Sequence, residues 1–541
     1  MDVSDYNPIY SDSFPNSLFF LSDRDGSVQI YSVKFPSVDS TPLKITNIPV
    51  PFDNVKIQKN TIVFSAEVYF DCLVDVLQCT ANRDAQVKLR GSNTWATYTK
   101  MFVRHWDVWT TEGKGNHLFA IKLFAYGLRN APVINLMKGI EANSPVPPFG
   151  GAELFDISPD GNEIVFTAHM SDKSESWRTN WKTFWISDIN NPKPVSLTED
   201  FVGRTQNPSF SPDGKLVSFL YMNRAGLESD NLHLAILDKA TNQIRKITES
   251  FDRSILSYTW YDNKSIMLTA TDVDRNKLFY LNINNQDGPK LINDEQYSWE
   301  APFFINNDEV YAVRSGWSVP TVVVYFKFDN ENEKISSDVK HIVNVNEETL
   351  LNYNLVEPES FLFKGGNDED VNGWIHKPVN FDETKKYPVA LLIHGGPEEP
   401  WDPSWSYRWN PQIFSQKGYV VVMINPHGSP GMGIKFQDAV RNDWGGVPYQ
   451  DIMKGLDHAI DTYKFLDGDR VCALGASYGG YMVNWIQGQT DRFKCLVTHD
   501  GVFSSINMFY ATEEIWFPLA ENCPIDKPGC KPFDDETREN Y

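Results

Sequence analysis

The chain has 541 residues, of which 41% are hydrophobic and 22% are charged, and its formal net charge at pH 7 is −22. This length predicts two or three domains, and the composition is typical of a soluble globular protein. The acidic excess argues against nucleic acid as a partner, because phosphate binding needs clustered Lys and Arg. No apolar run approaches the ~20 residues that a membrane-spanning helix needs, so we expect no membrane association.

The first 345 residues show a recurring pattern of short strands and turns. Ser158-Pro159-Asp160-Gly161 returns as Ser211-Pro212-Asp213-Gly214, each time directly before a strand. Several strands in each unit of roughly 45 residues are typical of a β-propeller blade. We therefore predict a β-propeller over residues 1–345 with about six blades and an insertion near residues 70–115. Independent β-sandwich domains are the alternative.

From residue 346 to residue 541 strands and helices alternate. Val389–Ile393 and Tyr419–Ile424 are continuous apolar runs of the kind that is buried on both faces of a parallel sheet. Asp451–Phe465 has the spacing of an amphipathic helix. This alternation predicts a doubly wound α/β domain.

Ser477 is the strongest functional candidate in the sequence. It lies in Gly475-Ala476-Ser477-Tyr478-Gly479, between the apolar strand Arg470–Leu474 and a predicted helix. Gly-x-Ser-x-Gly in this context is the nucleophile elbow of an α/β-hydrolase, in which a strained turn exposes the serine hydroxyl above the sheet. A simple glycine-rich turn is the alternative. We predict that Ser477 is the catalytic nucleophile.

A second motif, His394-Gly395-Gly396-Pro397, directly follows the strand Val389–Ile393. In α/β-hydrolases the loop at this place donates one amide of the oxyanion hole. The predicted donors are the backbone amides of Gly396 and Tyr478, and His394 is interpreted as a residue that orders the loop.

The six cysteines suggest two roles. Two pairs lie close in sequence, Cys72 with Cys79 and Cys523 with Cys530, and are interpreted either as disulfides or as unrelated thiols. Cys472 and Cys495 lie in apolar runs and are predicted to be core thiols. No metal site is expected. Disulfides would favour secretion, although the first thirty residues do not resemble a signal peptide; the alternative is the cytoplasm.

Together these motifs resemble the prolyl oligopeptidase clan of serine peptidases, and within it the dipeptidyl-peptidase V group. The resemblance rests on the elbow, the His-Gly-Gly-Pro loop, Trp444-Gly445-Gly446, and stretches at 405–411 and 512–517. It implies a β-propeller over an α/β-hydrolase active site, which would limit access to short peptides. It also implies release of dipeptides from peptide N-termini, with no cofactor. Acylaminoacyl-peptidase or oligopeptidase activity remains open.

The resemblance also suggests that parts of the machinery lie outside the chain. The triad order of these enzymes is Ser, Asp, His, and the only histidine after the serine is His499, which follows the elbow too early for the base. We therefore expect a fragment of a seven-bladed protein that lacks an N-terminal segment and the C-terminal Asp and His. A catalytically inactive, propeller-bearing binding protein is the alternative from another class. Glu513 and Glu514 are candidates for binding a substrate's amino terminus, or else begin a solvated helix.

Overall fold

The computed structural model describes two compact units, Met1–Leu227 with Leu234–Lys246, and Glu228–His233 with Ile247–Tyr541. It describes all residues except 1–2, 38–40, 90, 92–96, 99–102, 106–107, 124–131, 170–180, 286, 307, 524–529 and 535–541.

The described residues of the first unit form four antiparallel sheets of four strands each, in the orders β1-β2-β3-β4, β10-β9-β6-β5, β11-β12-β13-β14 and β15-β16-β17-β18. The strands are β1 Asp5–Tyr10, β2 Ser17–Ser22, β3 Gln29–Lys34, β4 Leu43–Lys44, β5 Asp53–Gln58, β6 Thr61–Tyr69, β7 Arg104–His105, β8 Val108–Trp109, β9 Lys114–Lys122, β10 Ile134–Asn135, β11 Phe155–Ile157, β12 Ile164–His169, β13 Trp181–Ile186, β14 Val195–Ser196, β15 Thr205–Phe210, β16 Leu216–Tyr221, β17 His233–Asp238 and β18 Gln243–Lys246. Between β6 and β9, where an insertion was predicted, lie helix α1, Val76–Leu89, and the pair β7–β8.

The repeated Ser-Pro-Asp-Gly motif forms the turn before the second strand of two successive sheets. Gly161 and Gly214 have φ angles of +77° and +70°, which a side chain would strain. Within each turn the serine hydroxyl donates to the aspartate, Ser158 Oγ to Asp160 Oδ1 at 2.6 Å and Ser211 Oγ to Asp213 Oδ1 at 2.8 Å. The shared chemistry explains why the strands begin at matching places.

The second unit contains two further antiparallel sheets, β19-β20-β21-β22 and β23-β24-β25-β26 with β27 also paired to β25. Their strands are β19 Ile255–Trp260, β20 Ser265–Asp272, β21 Arg275–Asn282, β22 Lys290–Asn293, β23 Ser298–Asn306, β24 Glu309–Ser315, β25 Val322–Asp329, β26 Lys334–Ile335 and β27 Lys340–Val343. With the four sheets of the first unit, the described part of the chain has six propeller blades, which confirms the predicted β-propeller and its blade count. A seventh blade and the domain boundary near residue 345 stay predictions.

The second unit also holds a six-stranded sheet in the order β28-β29-β31-β30-β32-β33. Its strands are β28 Glu359–Lys364, β29 Asp370–His376, β30 Tyr387–Ile393, β31 Val420–Asn425, β32 Leu466–Ala476 and β33 Cys495–His499. The four strands β31, β30, β32 and β33 pair in parallel in that order. Strand β29 runs antiparallel to both of its neighbours, β28 and β31. This is the predicted α/β-hydrolase sheet, with an antiparallel start.

Seven α-helices are described in this unit, and α4, α5 and α6 contribute buried residues to the core of the sheet. They are α2 Glu347–Leu350, α3 Gln412–Gln416, α4 Ile434–Asp438, α5 Val447–Thr462, α6 Tyr478–Gln489, α7 Ser505–Ala511 and α8 Trp516–Asn522. Helix α5 begins before the predicted Asp451 because Pro448 suits a first helical turn. Ile452 and Leu456 of α5 are buried in one cluster with Val389 and Val422 of the sheet. In the described part of the chain, no helix is both long and apolar enough to span a membrane.

The cysteine pairing corrects one prediction. Cys72–Cys79 and Cys523–Cys530 form disulfides, as the first interpretation of their spacing had it. Cys472 and Cys495, predicted to be core thiols, also form a disulfide. They are register partners on the adjacent parallel strands β32 and β33, which brings their Cα atoms to 4.7 Å.

Candidate active site

Ser477 stands at the turn between β32 and α6. Its φ and ψ are +55° and −117°, a strained conformation for a residue with a side chain, and the residue is exposed. Its backbone amide donates to His499 O at 3.0 Å, and its carbonyl accepts from Tyr481 N at 2.9 Å. The turn therefore presents a serine side chain at the N-terminus of a helix, where the helix dipole favours negative charge.

The two glycines of the elbow are required by packing. A Cβ added at Gly475 would lie 2.3 Å from Gly479 O, and one added at Gly479 would lie 2.2 Å from Ile393 O. Both distances are far shorter than any real contact. The small residues thus let α6 begin directly against the ends of β32 and β30.

The His-Gly-Gly-Pro loop reaches the serine. A Cβ added at Gly395 would lie 3.5 Å from the Cβ of Ser477 and 3.3 Å from Ala476 O. Gly396 has a φ of +107°, a conformation that strains any residue with a side chain. The structure therefore brings the two sequence motifs, about 80 residues apart in the chain, into one site.

The two predicted amide donors lie at the edges of this site. In the described part of the chain, neither Gly396 N nor Tyr478 N is among the donors of backbone hydrogen bonds in turns and loops. The Tyr478 side chain is buried, and its hydroxyl donates to Trp444 O at 2.9 Å. Burial also raises the pKa of the Tyr478 phenol well above its usual value. Tyr478 is thus held by its side chain while its amide begins α6.

His394 is fixed by hydrogen bonds on both ring nitrogens. Its Nδ1 lies 2.7 Å from Gly395 O, and its Nε2 lies 3.1 Å from Ser429 Oγ. Burial lowers the pKa of His394 to about 4, so the ring is neutral at pH 7. Nδ1 then donates to the carbonyl, and Nε2 accepts from the hydroxyl. This arrangement suits a residue that orders the loop.

His499 and Asp500 lie at the end of β33. His499 Nε2 is 3.1 Å from Asp500 Oδ2, and the half-exposed ring packs edge-on against Trp409 at 5.2 Å. The backbone carbonyl of His499 holds the amide of Ser477. In this geometry the contribution of His499 to the elbow comes from its main chain.

Glu513 and Glu514 lie in the segment that joins α7 to α8, and both are half-buried. Glu514 N donates to Thr512 Oγ1 at 3.0 Å, and Glu514 O accepts from Phe517 N at 3.0 Å. The backbone of Glu514 therefore starts helix α8.

Sequence reasoning missed a pair of carboxyl groups beside the His-Gly-Gly-Pro loop, of which Glu398 is half-buried and Glu521 is buried. Glu398 follows Gly396 by two residues, and its side chain hydrogen-bonds that of Glu521 on α8. The pair joins positions more than a hundred residues apart. The one signal available was an acidic residue directly after the His-Gly-Gly-Pro motif.

Comparison with known proteins agrees with this architecture. Residues 405–528 match the prolyl oligopeptidase family. Probable dipeptidyl-peptidase 5 of Emericella nidulans is 35% identical over 456 residues, which cover 78% of this chain and 60% of the relative. Dipeptidyl-peptidase 5 of Schizosaccharomyces pombe is 33% identical over 449 residues, covering 80% of this chain and 62% of the relative. The chain thus spans about three fifths of the length of these relatives.

Solved structures show the same fold. The uncomplexed acylaminoacyl peptidase of Pyrococcus horikoshii superimposes with a TM-score of 0.73 at 16% sequence identity, covering 99% of this chain and 76% of that chain. A likeness at this identity concerns the fold alone. The family match, the relatives and the elbow geometry agree, and the chain carries a domain of the prolyl oligopeptidase family.

Proposed function

We propose that this protein is a serine peptidase that releases dipeptides from the N-termini of short peptides. The observation that carries the proposal is the exposed Ser477 on a strained elbow at the start of α6, with Gly395 packed against it. Similarity to relatives named dipeptidyl-peptidase 5 supports the dipeptide specificity.

In the proposed reaction the Ser477 hydroxyl attacks the scissile carbonyl and gives its proton to a general base. The carbonyl carbon then bears an oxyanion, which the amides of Gly396 and Tyr478 stabilise at the N-terminus of α6. The protonated base then gives this proton to the leaving nitrogen, and collapse of the intermediate releases the amine of the shortened peptide and leaves a dipeptidyl ester on Ser477. Water hydrolyses the ester and restores the hydroxyl.

We propose that Glu513 or Glu514 binds the free amino terminus of the substrate. A carboxylate pairs well with an ammonium group in a partly desolvated setting. Both residues are half-buried in the segment before α8, and the Glu514 backbone is held at both ends. This part of the proposal separates a dipeptidyl peptidase from enzymes that accept a blocked amino terminus.

A panel of chromogenic substrates tests the specificity. Dipeptides with a free amino terminus should be cleaved, and the same dipeptides with an acetylated amino terminus should not. Cleavage of blocked dipeptides alone would favour an acylaminoacyl peptidase, and cleavage within longer blocked peptides would favour an oligopeptidase. Replacing Glu513 or Glu514 by Gln should raise KM for free dipeptides more than it lowers kcat.

A fluorophosphonate probe tests the nucleophile. We expect one adduct, located on Ser477 by mass spectrometry, and no adduct in the Ser477→Ala variant. The variant Ser504→Ala is a matched control, because this serine caps helix α7 through Asn507 N and should leave labelling unchanged. Labelling elsewhere, with Ser477 unmodified, would contradict the proposed role.

A binding protein without catalysis is the second candidate, and one observation favours it. Two histidines lie at the ends of the strands beside the elbow, and both bond elsewhere. The ring nitrogens of His394 bond Gly395 O and Ser429 Oγ, and His499 Nε2 lies 3.1 Å from Asp500 Oδ2. Removing the base from a serine hydrolase leaves only a small residue of catalysis. Peptide binding measured by calorimetry, with neither labelling nor turnover, would establish this alternative.

We propose secretion as the location. The disulfides Cys72–Cys79, Cys472–Cys495 and Cys523–Cys530 support it, because such bonds persist in oxidising compartments. Mass spectrometry of the native protein after alkylation should find these six cysteines unmodified. Free thiols at all six positions would favour the cytoplasm instead.

A further inference from the structure

Two carboxyl groups meet beside the His-Gly-Gly-Pro loop. The side chains of Glu398 and Glu521 hydrogen-bond each other, and Glu521 is only 3% exposed. The Arg441 guanidinium lies near Glu521, but its hydrogen bonds go to the carbonyl oxygens of Ala520 and Cys523. Two ionised carboxylates within hydrogen-bonding reach of each other would repel strongly, so one of them must hold a proton.

The position of the proton follows from the hydrogen bonds. Glu521 Oε2 accepts from the indole Nε1 of Trp444 at 3.0 Å, which suits an anion. The Glu398 carboxyl also bonds the Ser229 hydroxyl and its own backbone amide, but its buried Oε1 accepts from no donor in the part of the chain that the structure describes. Burial, the charge of Glu521 and the hydrogen bond to it raise the pKa of Glu398 well above its usual value. Glu398 is therefore the protonated donor, and Glu521 is the acceptor.

Glu398 is coupled to the first predicted oxyanion donor by a tight turn. A Cβ added at Gly396 would lie 2.5 Å from Glu398 N, so the backbone of the loop folds back on itself between these residues. Little freedom remains for Gly396 to rotate independently of Glu398. A force on the Glu398 side chain is thus transmitted to the peptide plane of Gly396.

Glu521 is coupled to the second predicted donor through Trp444. The Trp444 ring packs edge-on against Tyr478 with centroids 5.2 Å apart, and the Trp444 carbonyl accepts from the Tyr478 hydroxyl at 2.9 Å. All of these side chains except Glu398 are buried, at 8% exposure or less. A continuous set of contacts therefore runs from the loop of Gly396 to Tyr478.

We propose that Glu398 and Glu521 are positioning residues whose mutual hydrogen bond holds the Gly396 amide in a fixed position relative to the Tyr478 amide. The proposal rests on the proposed function, because it assumes that these two amides stabilise an oxyanion. The other polar groups that face the pair are the Ser229 hydroxyl, which bonds Glu398, the exposed Glu228 carboxylate and the Arg441 guanidinium. Loss of the shared proton as the pH rises would turn the bond into a repulsion and separate the two donors.

The variant Glu398→Gln tests this proposal, because a glutamine amide donates to Glu521 but has no proton to lose. Glu398→Ala removes the bond, and Glu399→Gln, at the exposed neighbouring residue, is the matched control. Two quantities would be measured between pH 6 and 10 in the full chain. They are the midpoint temperature of unfolding and the rate at which a fluorophosphonate modifies Ser477.

The expected results follow from the sign of the pKa change. A carboxyl group whose pKa is raised by folding stabilises the protein fully at low pH, and this contribution is lost as the pH rises. The unfolding temperature of Glu398→Gln minus that of the wild type should therefore increase as the pH rises. The labelling rate of Glu398→Gln divided by that of the wild type should rise in parallel. Dividing the rates cancels the titration of the general base, because it affects both proteins equally. Glu398→Ala should label about tenfold to a hundredfold more slowly throughout.

Three outcomes would overturn the proposal. If the unfolding temperature of Glu398→Gln rises relative to that of the wild type with pH but the ratio of labelling rates stays constant, the pair holds a proton without positioning the donors. If neither quantity changes relative to the wild type, the pair holds no shared proton. If Ser477 is labelled in no variant while the unfolding temperatures behave as expected, the proposed function has failed, and the positioning role with it.

Discussion

Ser477 is held in its strained conformation by bonds from both neighbouring elements. A φ of +55° in a residue with a side chain costs roughly 1–3 kcal/mol, and the bonds to His499 O and from Tyr481 N offset it. The five-residue motif, placed between an apolar strand and a predicted helix, predicted the turn and its serine. It could not reveal that the carbonyl of His499 anchors the serine amide, because that contact depends on how β33 is placed beside β32.

Replacing Gly479 by Ala should disrupt the elbow. The new Cβ would lie 2.2 Å from Ile393 O and 2.8 Å from His394 O, so α6 would have to move away from β30. We expect a loss of about 1–3 kcal/mol of unfolding free energy, which is what overpacking a core typically costs, and loss of fluorophosphonate labelling. Denaturant unfolding and labelling of the same samples measure the two effects.

Gly488, near the end of the same helix, is the matched control. A Cβ there would meet no atom within 4 Å. Gly488→Ala should therefore stabilise the protein by about 0.5–1 kcal/mol, the usual gain in a helix, and leave labelling intact. Equal behaviour of the two variants would show that the packing of Gly479 is not what maintains the elbow.

At the scale of elements, a buried histidine connects three segments of the α/β sheet. His427 follows β31, and its Nδ1 lies 2.6 Å from Asp451 Oδ2 on α5. Its Nε2 lies 2.8 Å from Glu369 Oε2, directly before β29. Asp451 also accepts from the amide of Gly366 at 2.6 Å. One imidazole thus joins helix α5, the loop that follows β31 and the loop that precedes β29.

This cluster should make stability depend on pH. Burial opposes the charge of His427, but the hydrogen bonds and charges of Asp451 and Glu369 outweigh it and raise the His427 pKa. A raised pKa gives stability that is complete below the unfolded value of about 6.5 and is lost as the pH rises through the folded value. The free energy of unfolding of the wild type should therefore exceed that of His427→Gln by about 1–3 kcal/mol at pH 6, which is what hydrogen bonds to a charged group contribute. The difference should be smaller at pH 9.

Urea unfolding at both pH values measures this difference. Phe436→Leu is the control, because Phe436 stacks on the same ring at 4.0 Å but carries no charge. Its cost should be equal at the two pH values. A difference between the wild type and His427→Gln that does not shrink with pH would show that the imidazole is neutral.

The elements themselves were largely predictable, whereas their pairing was not. Apolar runs marked β30 and β31 within two residues of their ends, because strands buried on both faces have few polar positions. The disulfide between Cys472 and Cys495 escaped prediction for the same reason. In a continuous apolar run both residues resemble core thiols, and only the register of β32 against β33 makes them opposite neighbours.

At the scale of the whole molecule, the last two blades share a compact unit with the α/β sheet. Trp317, which follows β24, is 4% exposed and packs edge-on against Trp374 of β29 at 5.3 Å. Gln412 Nε2 donates to Trp317 O at 3.2 Å, and Ser298 Oγ donates to Asp402 Oδ2 at 2.6 Å. Composition changes near residue 345, but these contacts cross that point and are invisible in sequence.

We therefore expect a polypeptide of residues 247–541 to unfold cooperatively on heating. A polypeptide of residues 346–541 should show no cooperative transition. Removing the two blades would expose Trp374 and leave the buried Asp402 carboxyl without its bond from Ser298. Calorimetry and binding of a hydrophobic dye would compare the two polypeptides. Trp317→Ala in the longer one should cost about 3–5 kcal/mol, as for other buried aromatic residues. A cooperative transition of residues 346–541 at the same temperature would contradict this expectation.

The repeated turn of the first unit also forms contacts between successive blades. Thr61 Oγ1 donates to Gly161 O at 2.7 Å, and a Cβ added at Gly214 would touch Pro159 at 3.4 Å. The turn between the first two strands of one blade thus contacts the neighbouring blade. A tandem duplication of such a blade would carry both halves of its own interface. Evolution, or a protein designer, could then lengthen the array without inventing a new junction.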